Sequence, residues 1–417
     1  MAFINGVRTT DSITEQTTTA GLDFSVVGLI GTAPIQNTDS TTKPINEPVL
    51  ITNLEEGVKT FGNASKGYTI PQALEAIFAR VSSAKVVVVN VFDPDKHTAT
   101  TEDTEEETKT TTQPSPDAVT VADIIGGVKT DGTRYGLQAF KDAIAKCRFK
   151  PRIFIAPKYS ADKSVETALD TITDTFKGYA YADLDATSAK DAITKRNDSN
   201  TSKRIEYVYP AVKVYNAYTQ EEEIRPASAY AAATRIYTDA VYGLHYSTGN
   251  QPVKGIEGTE IPIYFDIQDE NSDSNLLNSN GITTIIYDEG YRFWGNRNAS
   301  YPDNENFDSF GNIVRVADYI DESIAVKSRQ FMSGPITTGT IDDVVNFGKN
   351  FMANLKNKGW LIGYDCWFDE KKNDYQSLAA GKMTVTRKFL PPTPLEDLEY
   401  ESQVDITLYS DIYNDND

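Results

Sequence analysis

Gly281-Ile-Thr-Thr-Ile-Ile-Tyr287, then Asp288-Glu-Gly290, then Tyr291-Arg-Phe-Trp-Gly-Asn-Arg297 is the stretch whose reading decides the fold. Thr283 to Tyr287 is β-branched and aromatic, which suits a pleated strand, and Asp288-Glu289-Gly290 is turn chemistry. Tyr291, Phe293 and Trp294 supply packing bulk, and Gly295, Asn296 and Arg297 close the segment. The predicted element is a rigid hairpin, not a reaction centre.

Upstream, from Leu22 to about Gly258, short apolar runs alternate with helical periods, the pattern of an α/β sheet with crossover helices. Val86 to Phe92 is almost continuously apolar, as a strand covered on both faces requires. Arg152 to Ala156 and Ile205 to Val214 read similarly, with Pro210 placed at an edge or bulge because proline cannot donate to a ladder. Helices are predicted over Pro71 to Arg80, Gly136 to Cys147, Ser164 to Phe176 and Pro226 to Tyr242. Thr98 to Pro116 is Thr-rich, carries an acidic run from Glu102 to Glu107, and lacks the apolar groups to order itself. It is expected to be a solvated loop within a small polar insertion at about 97–134.

Beyond the polar stretch Asp269 to Asn280 the alternation stops, and a second unit of α+β type is expected over 269–395. Ile313, Val316, Ile320 and Ile324 mark one helical face, with Arg315, Lys327 and Arg329 adding positive charge on or beside that helix. A second helix is predicted from Thr340, with Asp343 completing a capping box, to before Gly359. Strands follow over Trp360 to Phe368 and Lys382 to Leu390, and Pro391-Pro-Thr-Pro394 makes a stiff extended spacer.

Both chain ends read as strands on tethers, residues 1–21 around Phe3 and Val7 and residues 396–417 around Val404, Ile406 and Leu408. A lone strand is marginal in water and must add to a sheet edge, in its own subunit or in a neighbour. On sequence alone the same-subunit choice is favoured, because termini often tuck in.

The chain has 417 residues, room for two or three domains at roughly 150 residues each. Forty Lys and Arg against sixty Asp and Glu give a formal net charge of -20, which argues against direct nucleic-acid binding and against anionic membrane surfaces. No run approaches the ~18 apolar residues of a membrane span, so no membrane insertion is expected, and a cytoplasmic product is. The two cysteines, Cys147 and Cys366, lie too far apart in sequence to suggest a thiolate metal site, and His97 and His245 fit no metal-helix or nucleophile spacing. Val26 to Gly31 opens like a dinucleotide loop but lacks the third glycine, and Gly57 to Gly62 has phosphate-loop spacing with Asn63-Ala64 where Lys-Ser/Thr is needed. Asp269 to Asn275 starts like a calcium loop but has Ser274 at the glycine position. Neither a catalytic site nor a cofactor is expected. A nucleotide-dependent enzyme and a host-surface adhesin are the competing classes.

The 281–297 stretch, together with Phe24 to Pro34, Asn46 to Thr52, Tyr68 to Leu74, Val86 to Val91, Asp123 to Gly126, Tyr135 to Leu137 and Lys150 to Ile153 in that order, resembles the short-form tail sheath proteins of contractile phages and R-type bacteriocins. The resemblance implies an α/β fold with a sandwich-like sheet domain over 22–268, a C-terminal α+β domain, and extended terminal strand arms. It also implies a structural subunit that forms stacked hexameric rings around an inner tail tube, contracts to drive the tube through a target envelope, and meets baseplate and tail terminator proteins. Its location would be the virion tail, or a bacteriocin-like particle, assembled in the host cytoplasm. Arms around Phe3, Val7, Val404, Ile406 and Leu408 would then be exchanged with neighbours. Arg315, Lys327 and Arg329 are the candidate tube-facing cations, and Tyr291, Phe293, Trp294, Gly295, Asn296 and Arg297 the packing signature.

Overall fold

The computed structural model describes residues 22–102 and 110–410. In chain order β1 (Val27–Gly31) and β2 (Pro48–Ile51) lead to helices α1 (Leu54–Phe61) and α2 (Thr69–Arg80) and to β3 (Val86–Asn90). Next come β4 (Thr98–Glu102), β5 (Thr110–Pro114), α3 (Val121–Ile125) and the short pair β6 (Gly127–Val128) and β7 (Arg134–Tyr135). Then α4 (Ala143–Cys147), β8 (Ile153–Ile155), α5 (Lys163–Phe176), β9 (Tyr179–Asp183), α6 (Ala189–Asn197) and β10 (Ile205–Tyr209) alternate. After β11 (Val212–Asn216), β12 (Glu221–Arg225), α7 (Ser228–Val241) and β13 (Gly258–Thr259) come α8 (Asp273–Asn278), β14 (Ile282–Tyr287) and β15 (Tyr291–Trp294). The last elements are α9 (Gly311–Lys327), α10 (Thr338–Asn357), β16 (Gly363–Phe368), α11 (Tyr375–Ala379) and β17 (Val385–Leu390).

Eight strands form one sheet in the order β15-β14-β10-β9-β8-β1-β3-β2. Its six inner strands run parallel, and β2 and β15 close the edges antiparallel. The period of two sends alternate side chains to opposite cores. Val27, Leu29, Val86 and Val88 meet α2 and α7 on one face, while Val26, Ile30, Val87 and Val89 meet α5 on the other. Burial on both faces is why these strands read as unbroken apolar runs. A third, smaller core gathers Val316 and Ile320 of α9, Phe351 and Leu355 of α10, Cys366 of β16, and Phe24 from the start of the described chain.

Several expectations need correction. The sequence pattern places the 281–297 hairpin in a second unit beginning at 269, yet β14 pairs in parallel with β10 through Tyr207 and Ile282, so the main sheet runs through to Trp294. Local alternation could not reveal this, since a parallel partner lies more than seventy residues away. The hairpin itself forms as read, with Tyr287 opposite Tyr291 and positive φ angles of 49° at Glu289 and 117° at Gly290. Thr98 to Pro116 is not simply a loop: β4 pairs antiparallel with β5, because a β-branched threonine run favours extended backbone and a ladder needs no apolar burial. Pro210, joined to Tyr209 by a cis peptide, ends β10, and the chain passes into a separate sheet of order β12-β11-β13. Helix α10 is capped by Thr337, which accepts from Thr340 N at 3.2 Å, so Thr340 lies in the first turn rather than at the cap.

Candidate assembly interface

Helix α9 carries two stripes. At 100° per residue Ile313, Val316, Ile320 and Ile324 fall on one side, and Arg315, Asp318 and Glu322 on the opposite side. Val316, Ile320 and Ile324 of the apolar stripe cover the small third core. The charged stripe faces the main sheet domain, with Arg315 and Asp318 buried and Glu322 half-buried: Arg315 pairs with Asp239 of α7 at 2.8 and 2.6 Å, Asp318 with Arg204 at 2.5 and 3.1 Å, and Glu322 with Arg152 at 2.5 Å and Lys150 at 3.1 Å. Arg315 also donates to the carbonyl of Phe24 at 3.0 Å. Burial opposes charge on Arg315, but the Asp239 carboxylate outweighs it and raises the guanidinium pKa, and burial of Asp239 is likewise outweighed by Arg235 and Arg315, which lower its pKa.

This geometry overturns one expected role. Arg315 is only 3% exposed and bonded to Asp239 and the Phe24 carbonyl, so it is a strut between domains and cannot face a tube. Lys327 and Arg329 differ, for both are exposed. They lie where α9 runs past the buried stripe into a 3-10 turn over Ser328–Phe331, next to exposed Met332 and Ile336. Lys327 holds its ammonium 5.0 Å over the Phe351 ring.

The hairpin residues divide by environment. Phe293 is buried in the main core, Tyr291 packs at its margin, and Trp294 meets Phe265 edge-on at 5.1 Å. Gly295 adopts φ 121° where a Cβ would lie 2.5 Å from Asn278 Oδ1, so only glycine fits. Asn296 borders a small polar cavity with Arg235, Asn312, Arg315 and Glu206. Glu206 accepts from Thr283 Oγ1 at 2.7 Å and Tyr179 Oη at 3.0 Å, and burial pushes its pKa up to about 7. Arg297 does more than pack. It stacks 3.8 Å over Phe310 and clamps Glu396, just past the proline run, at 2.5 and 3.0 Å.

Past Glu396 the chain changes character. Strands β16 and β17 form a ladder of two strands from Gly363↔Leu390 to Phe368↔Val385, and each keeps an edge unpaired by any strand among the described residues. The expected C-terminal strand is not formed in the single chain: Ile406–Ser410 is a 3-10 turn, and Val404, Ile406 and Leu408 are 105%, 77% and 61% exposed. The same-subunit pairing favoured by sequence alone is therefore absent at this end. Phe3 and Val7 lie outside the described residues.

The positions that suggested nucleotide chemistry have structural occupants. The α2 amides that would meet a phosphate are taken by Thr32, which accepts from Thr69 N at 3.3 Å through Oγ1 and from Ile70 N at 3.0 Å through its carbonyl. A Cβ on Gly31 would fall 2.1 Å from Thr69 Oγ1, so this glycine serves helix docking. Gly57 lies inside helix α1. The Asp269 to Asn275 stretch ends in α8, capped by Ser272. Among the described residues no cluster of three or more His, Cys, Asp or Glu could hold a metal ion, and no helix is long and apolar enough to cross a membrane.

Comparison with known proteins accounts for this arrangement. Residues 25–91 match the tail sheath protein Gp18 domain III N-terminal region, residues 119–299 the phage tail sheath protein central domain, and residues 303–405 the phage tail sheath C-terminal domain. The change from one match to the next falls near residue 300, after the hairpin, as the sheet topology does. The chain is 33% identical over 470 residues to the tail sheath protein of Burkholderia phage BcepMu, covering 96% of this chain and 97% of that protein. It is 30% identical over 380 residues to the tail sheath protein of Escherichia phage P2, covering 91% and 90% respectively. In fold it resembles the sheath complex of an extracellular contractile injection system, PVC, in its contracted state, with a TM-score of 0.67 at 14% identity over 98% of this chain and 99% of that one. The chain thus belongs to the family of contractile phage tail sheath proteins, structural subunits of the virion tail.

Proposed function

We propose that copies of this protein polymerise as stacked hexameric rings around an inner tail tube, from a baseplate to a terminator, and that the polymer shortens to drive the tube through a cell envelope. The observation that carries the reading is the pairing deficit at the C-terminal side: a two-stranded sheet with open edges, and an arm whose Val404, Ile406 and Leu408 stand in solvent. An arm that finds no place in its own chain fits the edge of a neighbour's β16 or β17, where backbone bonds supply affinity and alternate side chains supply register. Residues 1–21, with Phe3 and Val7, would supply a second such strand.

Contraction then needs no nucleotide. Packed cores resist deformation, so subunits move as rigid bodies and exchange one set of contacts for a lower-energy set while the arms keep them connected. The tube contact must be breakable, which suits screened charge. Lys327 and Arg329, together with the exposed turn after α9, are assigned to it. A net charge of -20 makes crowding of subunits salt-sensitive.

Truncation before Gln403 tests the reading. The shortened subunit should stay folded, yet give no cylinders under negative stain. Cylinders that form and contract normally without this segment would refute arm exchange.

A further inference from the structure

A cavity of about 540 Å³ opens at the carboxyl ends of β9 and β10, beside the start of α2. That volume is within the range of ligand-binding clefts, roughly 300–1,000 Å³. All five residues of β12, Glu221 to Arg225, line it, whereas no residue of β11 does. Because β12 pairs with β11 alone among the described residues, the cavity runs along the strand edge that no described strand covers. An unpaired edge is a template for another extended backbone.

The charge around the mouth is lopsided. Glu221, Glu222, Glu260 and Asp185 line the cavity and form no ion pair among the described residues, while of the cationic side chains Lys158 is held by Asp117 at 2.8 Å. Arg225 is committed to Glu75 at 2.9 Å and Glu223 at 3.2 Å. Asp183 is spent on Ser160 and Ser228. Lys66 is the remaining cation, so the opening is an acidic slot. Leu184, Val208, Ala211 and Pro226 give it apolar walls that suit the methylene stem of a long basic side chain.

We propose that this slot docks an extended segment of another polypeptide carrying lysine or arginine, which adds to the free edge of β12 and sends one basic side chain into the cavity. Edge protection is the simpler use of a glutamate run, since charge on an edge strand deters aggregation. Protection alone, however, calls for no cavity behind the edge.

The full-length protein would be titrated with a capped Lys-Val-Lys-Val-Lys peptide, with the same peptide methylated on its pairing amides, and with spermidine. Saturable binding of the first peptide is expected, weakened at least tenfold by amide methylation. It should also weaken at least tenfold in the double variant Glu221→Lys/Glu222→Lys, whose two sites are solvent-exposed and whose melting temperature should not move. No saturable binding would overturn the proposal. So would spermidine or the methylated peptide binding as tightly as the first peptide, since cation capture without strand addition would explain it.

Discussion

Replacing Arg315 with Met separates a strut from a tube contact. The guanidinium makes two bonds to Asp239 at 2.8 and 2.6 Å and one to the Phe24 carbonyl at 3.0 Å, all from a side chain 3% exposed. Removing one partner of a buried ion pair typically costs about 3–5 kcal/mol, since the remaining charge is left desolvated. Asp239 would keep Arg235 at 2.6 Å and Ser25 Oγ at 3.1 Å, so the lower end applies, about 3 kcal/mol. Urea unfolding of the unassembled subunit, followed by tryptophan fluorescence, should show a midpoint lowered by up to ~1 M, since m for a chain of 417 residues lies at or above about 3 kcal/mol/M. Arg315→Lys should recover part of the loss, because it restores charge without the forked geometry. A midpoint unchanged in Arg315→Met, paired with loss of tube decoration, would show the strut argument wrong and restore Arg315 to the tube-facing surface.

Lys327→Glu/Arg329→Glu should behave in the opposite way, with stability within about 0.5 kcal/mol of the parent but loss of tube decoration under the electron microscope; normal decoration counts against the assignment. Arg297→Ala should release Glu396, read as faster hydrogen exchange across 391–400 with the β14 and β15 amides unaffected, and equal exchange would mean the clamp holds nothing. Glu206 gives a pH signature: its folded pKa of about 7 lies above the ordinary 4.5, so the folded state keeps a proton that the unfolded chain loses, and stability falls as pH rises through that window, by ~3 kcal/mol in all. Glu206→Gln should flatten the decline between pH 5 and 8, and a parallel slope in both proteins would exclude Glu206 as its source.

What the sequence revealed follows from how far each signal reaches. Val86 to Asn90 announces a two-faced strand because five consecutive apolar or small polar side chains are all buried, a property local to the segment. The hairpin from Thr283 to Trp294 is legible for the same reason, as turn chemistry and strand composition are adjacent. Its place in the main sheet is not, since that depends on β10. The burial of Arg315 is hidden for a related cause: a cation on an amphipathic helix is usually solvated, and its partner lies 76 positions away on another helix. One local clue existed. Arg315, Asp318 and Glu322 share a face opposite the apolar stripe, and a charged stripe of mixed sign on a helix between two domains is a candidate for burial.

The same stripe decides where the subunit can bend. Four ion pairs along α9, two of them with both partners largely buried and two sharing Glu322, join the C-terminal unit to the main sheet domain. Their geometry is set by fixed side chains, so sliding α9 by one turn would break all four together, at a cost of several kcal/mol for each of the two buried pairs before any new partner is found. Rearrangement at that junction is therefore disfavoured relative to the segment beyond Leu390, which leaves through Pro391 to Pro394 and is held to the core at Arg297 and, more weakly, through Asn312 to the Pro392 carbonyl at 3.5 Å. Flexibility concentrates where the contacts are few and solvent-exposed. If arms are exchanged as proposed, the polymer would change length by swinging them about a stiff body, and Arg297 would set how far from the body that swing begins.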